Sequence, residues 1–226
     1  MMNRLSQITL LKGVRFLAAR DNDLARIAST YGPPPLWERE KGFHTLLHII
    51  LEQQVSLASA QAAYDRLEQA VNPLTPDGFL SLTDEELKEI GFSRQKTKYG
   101  RELSIATIEG SLDISGLENL TDEEAKVQLM RVKGIGSWTA NIYLLMALGR
   151  PDIWPDGDLA LEIAVQRIKG WTRRPTAEEL RKMSAEWQPW RAVAARLLWH
   201  FYLSEGKKGA SRPALRRSHF PGSREN

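Results

Sequence analysis

A helix-start signal recurs along this chain and limits its fold more than any other feature. Thr121-Asp122-Glu123-Glu124 and Thr176-Ala177-Glu178-Glu179 both set a Thr three residues ahead of a Glu, the spacing of a reciprocal capping box. Thr83-Asp84-Glu85-Glu86 offers a third capping Thr, with acids where the positive end of a helix dipole favours them. Apolar residues then step by three and four, as in Phe43, Leu46, Leu47, Ile50, Leu51 and on to Gln54. The same spacing predicts helices over 58–70, over 96–108 after a stop at Gly91, from Thr121 to about Arg131, over 180–187 and over 190–203. Loops are predicted at Gly32-Pro33-Pro34-Pro35, Asn72-Pro73 and Pro76-Asp77-Gly78, and the longest irregular stretch runs from Gly149 to Gly157. Period-two alternation is scarce, so the chain reads as all-α.

Composition removes several chemistries. There is no cysteine, which excludes disulfides, thiolate nucleophiles, iron–sulfur clusters and thiolate-held zinc. No apolar run approaches the roughly 18 residues of a membrane helix, and no secretory leader pattern opens the chain, so the expectation is a cytoplasmic protein without membrane contact. The net charge of +3 is unevenly placed. Residues 206–226 carry Lys207, Lys208, Arg212, Arg216, Arg217 and Arg224 against Glu225 alone, which leaves the body slightly acidic. That segment has few large apolar groups and is expected to be a disordered basic tail adding salt-sensitive affinity for a phosphate-bearing partner.

The most informative stretch is Val132-Lys133-Gly134-Ile135-Gly136-Ser137-Trp138-Thr139-Ala140-Asn141. One helix ends before it, a Gly-x-Gly turn follows, and a second helix starts at Ser137. Glycines allow a tight turn with bare backbone, and a helix start presents unpaired N–H groups. Such a turn can hold one phosphate of a nucleic-acid backbone without reading a base, through Gly134, Gly136, Ser137 and Thr139. Taken alone, a Gly-x-Gly is more often a plain turn between two helices, and its context decides.

Three further blocks accompany the turn: Ile49-Ile50-Leu51-Glu52-Gln53-Gln54-Val55-Ser56 upstream, and Trp154-Pro155-Asp156-Gly157-Asp158 and Trp187-Gln188-Pro189-Trp190-Arg191 through Trp199 downstream. In this order and spacing the four blocks resemble the helix-hairpin-helix superfamily of DNA glycosylases, and within it the 3-methyladenine DNA glycosylase II branch in compact form. The resemblance covers roughly residues 40 to 205. It implies two helical lobes with an active-site cleft between them. Residues 1–42 would pack with the C-terminal lobe, 43–152 would form a helical barrel containing the hairpin, 153–205 would carry the catalytic carboxylate, and 206–226 would be the tail.

The resemblance also implies roles. Asp158 matches the catalytic carboxylate, which stabilises the cationic sugar formed as an N-glycosidic bond breaks, and which can orient or deprotonate water. By sequence alone Asp158 also reads as a helix N-cap, and Asp156 is the rival carboxylate. Trp138 stands where bifunctional relatives carry a nucleophilic Lys, so base hydrolysis without strand cleavage is implied. Trp138 and Trp199 match aromatics around the everted base, and their electron-rich faces suit cationic alkylated purines. Ile142 stands where an aromatic pocket residue is expected, which leaves the substrate range open. Gln54 matches the side chain that wedges into the duplex, with Gln53 beside it as a DNA contact. Backbone carbonyls of Met130, Val132 and Gly134 match positions that coordinate a monovalent cation. No cofactor is expected to be required, with Na+ or K+ at the hairpin as the one ion implied.

The expected partner is double-stranded DNA containing alkylated bases, bound by a monomer. Two other readings remain at this point: a non-catalytic helix-hairpin-helix DNA-binding module, and a glycosylase for deaminated or etheno bases. His44 and His48 share a helix face, but no third ligand stands at a recognisable spacing, so zinc is not expected.

Overall fold

The computed structural model describes residues 4–210, with side chains described to residue 206. Among these residues the secondary structure is helical throughout. In chain order the elements are α1 (Gln7–Ala18), α2 (Asn22–Tyr31), α3 (Phe43–Glu52), α4 (Leu57–Ala70), α5 (Pro76–Ser81), α6 (Asp84–Ile90), α7 (Arg94–Ile108), α8 (Asp122–Met130), α9 (Ser137–Met146), α10 (Leu159–Lys169), α11 (Ala177–Ser184) and α12 (Arg191–Ala210). Single 3-10 turns occupy Gly116–Asn119 and Ala185–Trp187.

The capping signals act as local chemistry requires. Thr83, Thr121 and Thr176 each accept from the backbone N–H three residues on, and Glu86, Glu124 and Glu179 reach back to the capping residue. Those hydrogen bonds hold the Glu86 and Glu124 carboxyls below the usual range, and Glu179, held first by the Arg173 guanidinium and then by Thr176, falls to about 2. Gly91 closes α6 in the left-handed conformation at φ +115°.

Two expectations need correction. Pro76-Asp77-Gly78 is the first turn of α5 rather than a loop. Pro is tolerated at a helix start, where its missing N–H costs nothing, and Thr75 caps the Gly78 N–H. The helix from Arg191 continues to Ala210, so residues 206–210 extend α12 and are not part of an irregular tail. The remainder of that segment, 211–226, lies outside the described residues.

The helices fall into two packed groups. α3 is the centre of one, touching α4, α7 and α9, with α5 and α6 against α7 and α8 against α9. α12 is the centre of the other, touching α1, α2 and α10. Leu46, Leu47, Ile49 and Ile50 of α3 are fully buried, as are Ala192, Val193, Ala194, Ala195 and Leu197 of α12. The small residues on α12 let its neighbours approach closely.

One charge is buried between the groups. Arg196 of α12 is 1% exposed and donates to three carbonyls, Leu36 O at 2.8 Å, Ala192 O at 3.1 Å and Leu145 O at 2.9 Å. Burial pushes the guanidinium down to about 10, still protonated at neutral pH. It thereby fastens the coil after α2 and the end of α9 to α12.

Candidate active site

The hairpin is shaped by two glycines with different reasons. Gly134 sits at φ +100°, and a Cβ there would lie 2.2 Å from the Tyr99 ring, so both backbone and space demand glycine. Ile135 N–H closes the turn on Val132 O at 3.0 Å. Gly136 is the N-cap of α9, is exposed, and has nothing within 4 Å of a built Cβ. No side chain caps α9, so its first N–H groups face outward at the positive end of the helix.

Gln53 braces this hairpin from α3. Its Nε2 donates to Gly134 O at 2.9 Å and to Thr139 Oγ1 at 2.9 Å. This corrects two sequence assignments. Thr139 is 2% exposed and its hydroxyl is a buried acceptor, which leaves its backbone N–H at the start of α9 as its group for a phosphate, and the Gln53 NH2 is spent inside the protein. Gln54, the next residue, is exposed with a left-handed φ of +57°, beside the exposed Val55 and Leu57 in the turn between α3 and α4. Ser137 is half-buried, and its hydroxyl lies 3.4 Å from Asn141 Nδ2.

Asp158 is the N-cap of α10 and is 9% exposed. Its Oδ1 accepts from Leu161 N–H at 3.0 Å and from Trp199 Nε1 at 3.1 Å, and its Oδ2 accepts from Trp138 Nε1 at 2.9 Å. The cap is therefore real, and it does not compete with a further role. Three N–H donors fix both oxygens of a nearly buried carboxylate, and an indole N–H is not acidic enough to surrender its proton. The result is an oriented anion between two aromatic rings. Asp156 is directed elsewhere, 3.4 Å from Arg181 Nε on α11. Trp138 is half-buried and Trp199 is 8% exposed. Ile142, one turn after Trp138, is part of the hydrophobic core.

Sequence reasoning assigned the two tryptophans stacking faces and missed their N–H groups as donors to Asp158. The signal lay in residue type, because a buried indole N–H needs an acceptor and the chain places an acid at the neighbouring helix start. Two cations of α7 are occupied within the protein. Lys96 Nζ donates to Leu51 O at 2.5 Å, and Arg101 pairs with Asp84 at 2.6 Å. His48 stacks on Tyr64 at 4.1 Å, burial lowers its pKa, and no metal-holding group of His, Asp or Glu occurs among the described residues. The open cavity of about 490 Å³ beside that stack, lined by His44, His48, Gln61 and Tyr64, contains neither Asp158 nor its tryptophans.

Comparison with known proteins gives the family. Residues 47–189 match the model of the HhH-GPD superfamily base excision DNA repair protein, and the chain belongs to that family. Its relatives include YfjP of Bacillus subtilis, 28% identical over 184 residues, which cover 78% of this chain and 64% of that protein. They also include DNA-3-methyladenine glycosylase 1 of Schizosaccharomyces pombe, 28% identical over 180 residues that cover 78% of this chain and 79% of the relative. Among solved structures, the S. pombe 3-methyladenine DNA glycosylase Mag1 in complex with abasic DNA superposes with a TM-score of 0.77 at 27% identity, covering 83% of this chain and 95% of that one. A DNA-3-methyladenine glycosidase from Bacillus halodurans gives 0.71 at 28% identity, covering 87% and 91%.

Proposed function

We propose that the chain is a monofunctional DNA glycosylase that releases alkylated bases of the 3-methyladenine and 7-methylguanine type from duplex DNA and leaves an abasic site. The observation that carries this reading is the Asp158 carboxylate, held by Trp138, Trp199 and Leu161 at a helix start closely following the hairpin. The names of the relatives support the substrate class.

The chemistry follows from charge. Breaking the bond between sugar and base leaves a cationic, oxocarbenium-like sugar, and a base already carrying positive charge departs readily. A fixed carboxylate lowers the energy of that cation because it is oriented before the reaction begins. Water then adds to the sugar, with Asp158 as the acceptor for its proton. The indole faces of Trp138 and Trp199 favour an electron-poor base. Trp138 offers no amine to attack the sugar, so strand cleavage is not part of the reaction. The uncapped start of α9 takes a backbone phosphate, and Gln54 fills the space that the everted nucleotide leaves.

A monovalent cation on the carbonyls of Met130, Val132 and Gly134 is a further part of the proposal. The donor set suits it, since these are uncharged oxygens with two lone pairs each, and Val132 and Gly134 each accept one hydrogen bond. The acting form is taken to be a cytoplasmic monomer on DNA. No helix among the described residues is long and apolar enough to cross a membrane.

The test is base release from methylated duplex DNA, followed by chromatography, for wild type and Asp158→Asn. Free methylpurine from wild type alone, with strands intact until alkali is added, is the expected result. Release by both proteins sinks the role of Asp158. DNA binding with no release by either points to a binding module or to a different lesion, and a panel of etheno and deaminated bases separates these.

A further inference from the structure

Two non-glycine residues with positive φ occur among those described, Gln54 and Trp37. Gln54 is at the turn already discussed. Trp37 is harder to explain, because a bulky side chain at φ +46° is disfavoured, and such conformations persist only where the surroundings impose them. Here they do so on both sides. Leu36 O accepts from the buried Arg196 at 2.8 Å, and Arg39 N–H donates to Met146 O at 3.1 Å. The Arg39 guanidinium also grips Glu52 with two bonds, at 3.0 and 2.7 Å. The coil is thus tied to α12, α9 and α3 immediately before and soon after Trp37.

What this constraint achieves is a contact. The Trp37 indole stands at 74° to that of Trp199 with centroids 6.5 Å apart, and at 85° to His200 at 6.4 Å, both edge-to-face arrangements. Trp199 in turn donates Nε1 to Asp158 Oδ1 at 3.1 Å. An indole on a helix has two side-chain torsions to fix, and a ring packed against its side limits how it can turn.

We infer that Trp37 is a positioning residue, held in a left-handed backbone so that its ring keeps the Trp199 indole aimed at Asp158. The inference rests on the glycosylase reading for its effect on rate, and on the contact alone for its effect on Trp199. It predicts that the coil before α3, which carries no reacting group, sets the rate of base release.

The experiment exploits the backbone. Trp37→Gly removes the ring and also relieves the left-handed φ, so the folded protein is expected to keep its melting temperature while losing activity. The single-turnover rate on methylated duplex should fall roughly tenfold with DNA affinity within about twofold of wild type, the split of an interaction realised in the transition state. Trp37→Phe, which keeps an aromatic edge, should recover most of the rate. In a Trp199→Phe background, Trp37→Gly should cost nothing further, because two residues acting through one hydrogen bond are not additive. A wild-type rate in Trp37→Gly overturns the inference, and so do losses at 37 and 199 that multiply. Wild-type protein that releases no base overturns the glycosylase reading instead. The contact is then tested by the Trp199 indole N–H resonance, which shifts in Trp37→Gly if Trp37 holds the ring and stays in place if it does not.

Discussion

The starts of α9 and α10 are two treatments of one physical situation. Both helices begin after a glycine-containing turn, and both present unpaired N–H groups and a positive dipole end. α9 begins at Gly136 with no side-chain cap, whereas α10 begins at Asp158, whose carboxylate takes the Leu161 N–H. The first leaves its amides for an anion from outside. The second supplies its own anion and then fixes it with two indoles. The residue at the cap thus decides whether a helix start is left without a side-chain partner or carries its own anion.

The largest expected effect comes from removing charge at α10 while keeping its cap. Asn can keep the cap on Leu161 N–H, but its NH2 must then face the Trp138 N–H, so Asp158→Asn should lose about 1 to 3 kcal/mol of stability while remaining folded. Single-turnover base release should nonetheless fall by about 10² to 10³, the scale for losing one preorganised electrostatic group. If the variant no longer folds, the two roles of Asp158 are not separable.

Gly136→Asp makes α9 resemble α10. Its φ of −89° suits any residue and a Cβ meets nothing, so a carboxylate cap is sterically free. Stability should rise by a few tenths of a kcal/mol while duplex affinity at low salt falls about tenfold. The slope of log K against log salt should flatten by roughly 0.9 for each phosphate that the protein no longer neutralises. Unchanged affinity would remove the α9 start from the DNA interface.

The two hairpin glycines sharpen the comparison further. Gly134→Ala meets both a left-handed φ and the Tyr99 ring, and should destabilise the fold by about 2 kcal/mol in denaturant titration. Gly136→Ala should change it by under about 1 kcal/mol. The smallest effect on duplex affinity is expected from Gln53→Ala, which removes the brace on Gly134 O and Thr139. At about 1 kcal/mol for a neutral hydrogen bond, duplex affinity should weaken only a few-fold. A loss as large as that of Gly136→Asp would mean that Gln53 touches the duplex after all.

These expectations also indicate how far the sequence could be read. Helix starts were legible because a cap involves residues two or three apart, so Thr83, Thr121, Thr176 and Asp158 announce themselves without tertiary knowledge. The hairpin and its downstream acid were legible by resemblance. Orientation across the fold was not. Whether Gln53 faces the duplex or Gly134 depends on how α3 packs against α9, and no local pattern encodes that. Nothing local marks Trp37, because its backbone is held through its neighbours Leu36 and Arg39, whose partners Arg196, Met146 and Glu52 lie farther along the chain. Pro76-Asp77-Gly78 misled for the opposite reason, since turn residues and the first turn of a short helix share one vocabulary.

The course of the chain has a consequence for assembly. α1 and α2 leave the ribosome first, yet the element they cover is α12, the last helix described. The intervening group around α3 can gather from contacts nearer in sequence, while the group around α12 must wait until α12 itself has been made. Contacts of such separation carry the greatest loop-closure cost and form late. Trp199 rides on α12, so Asp158 acquires its second indole only once α12 has docked. A nascent or truncated chain therefore acquires the hairpin before it acquires the completed carboxylate.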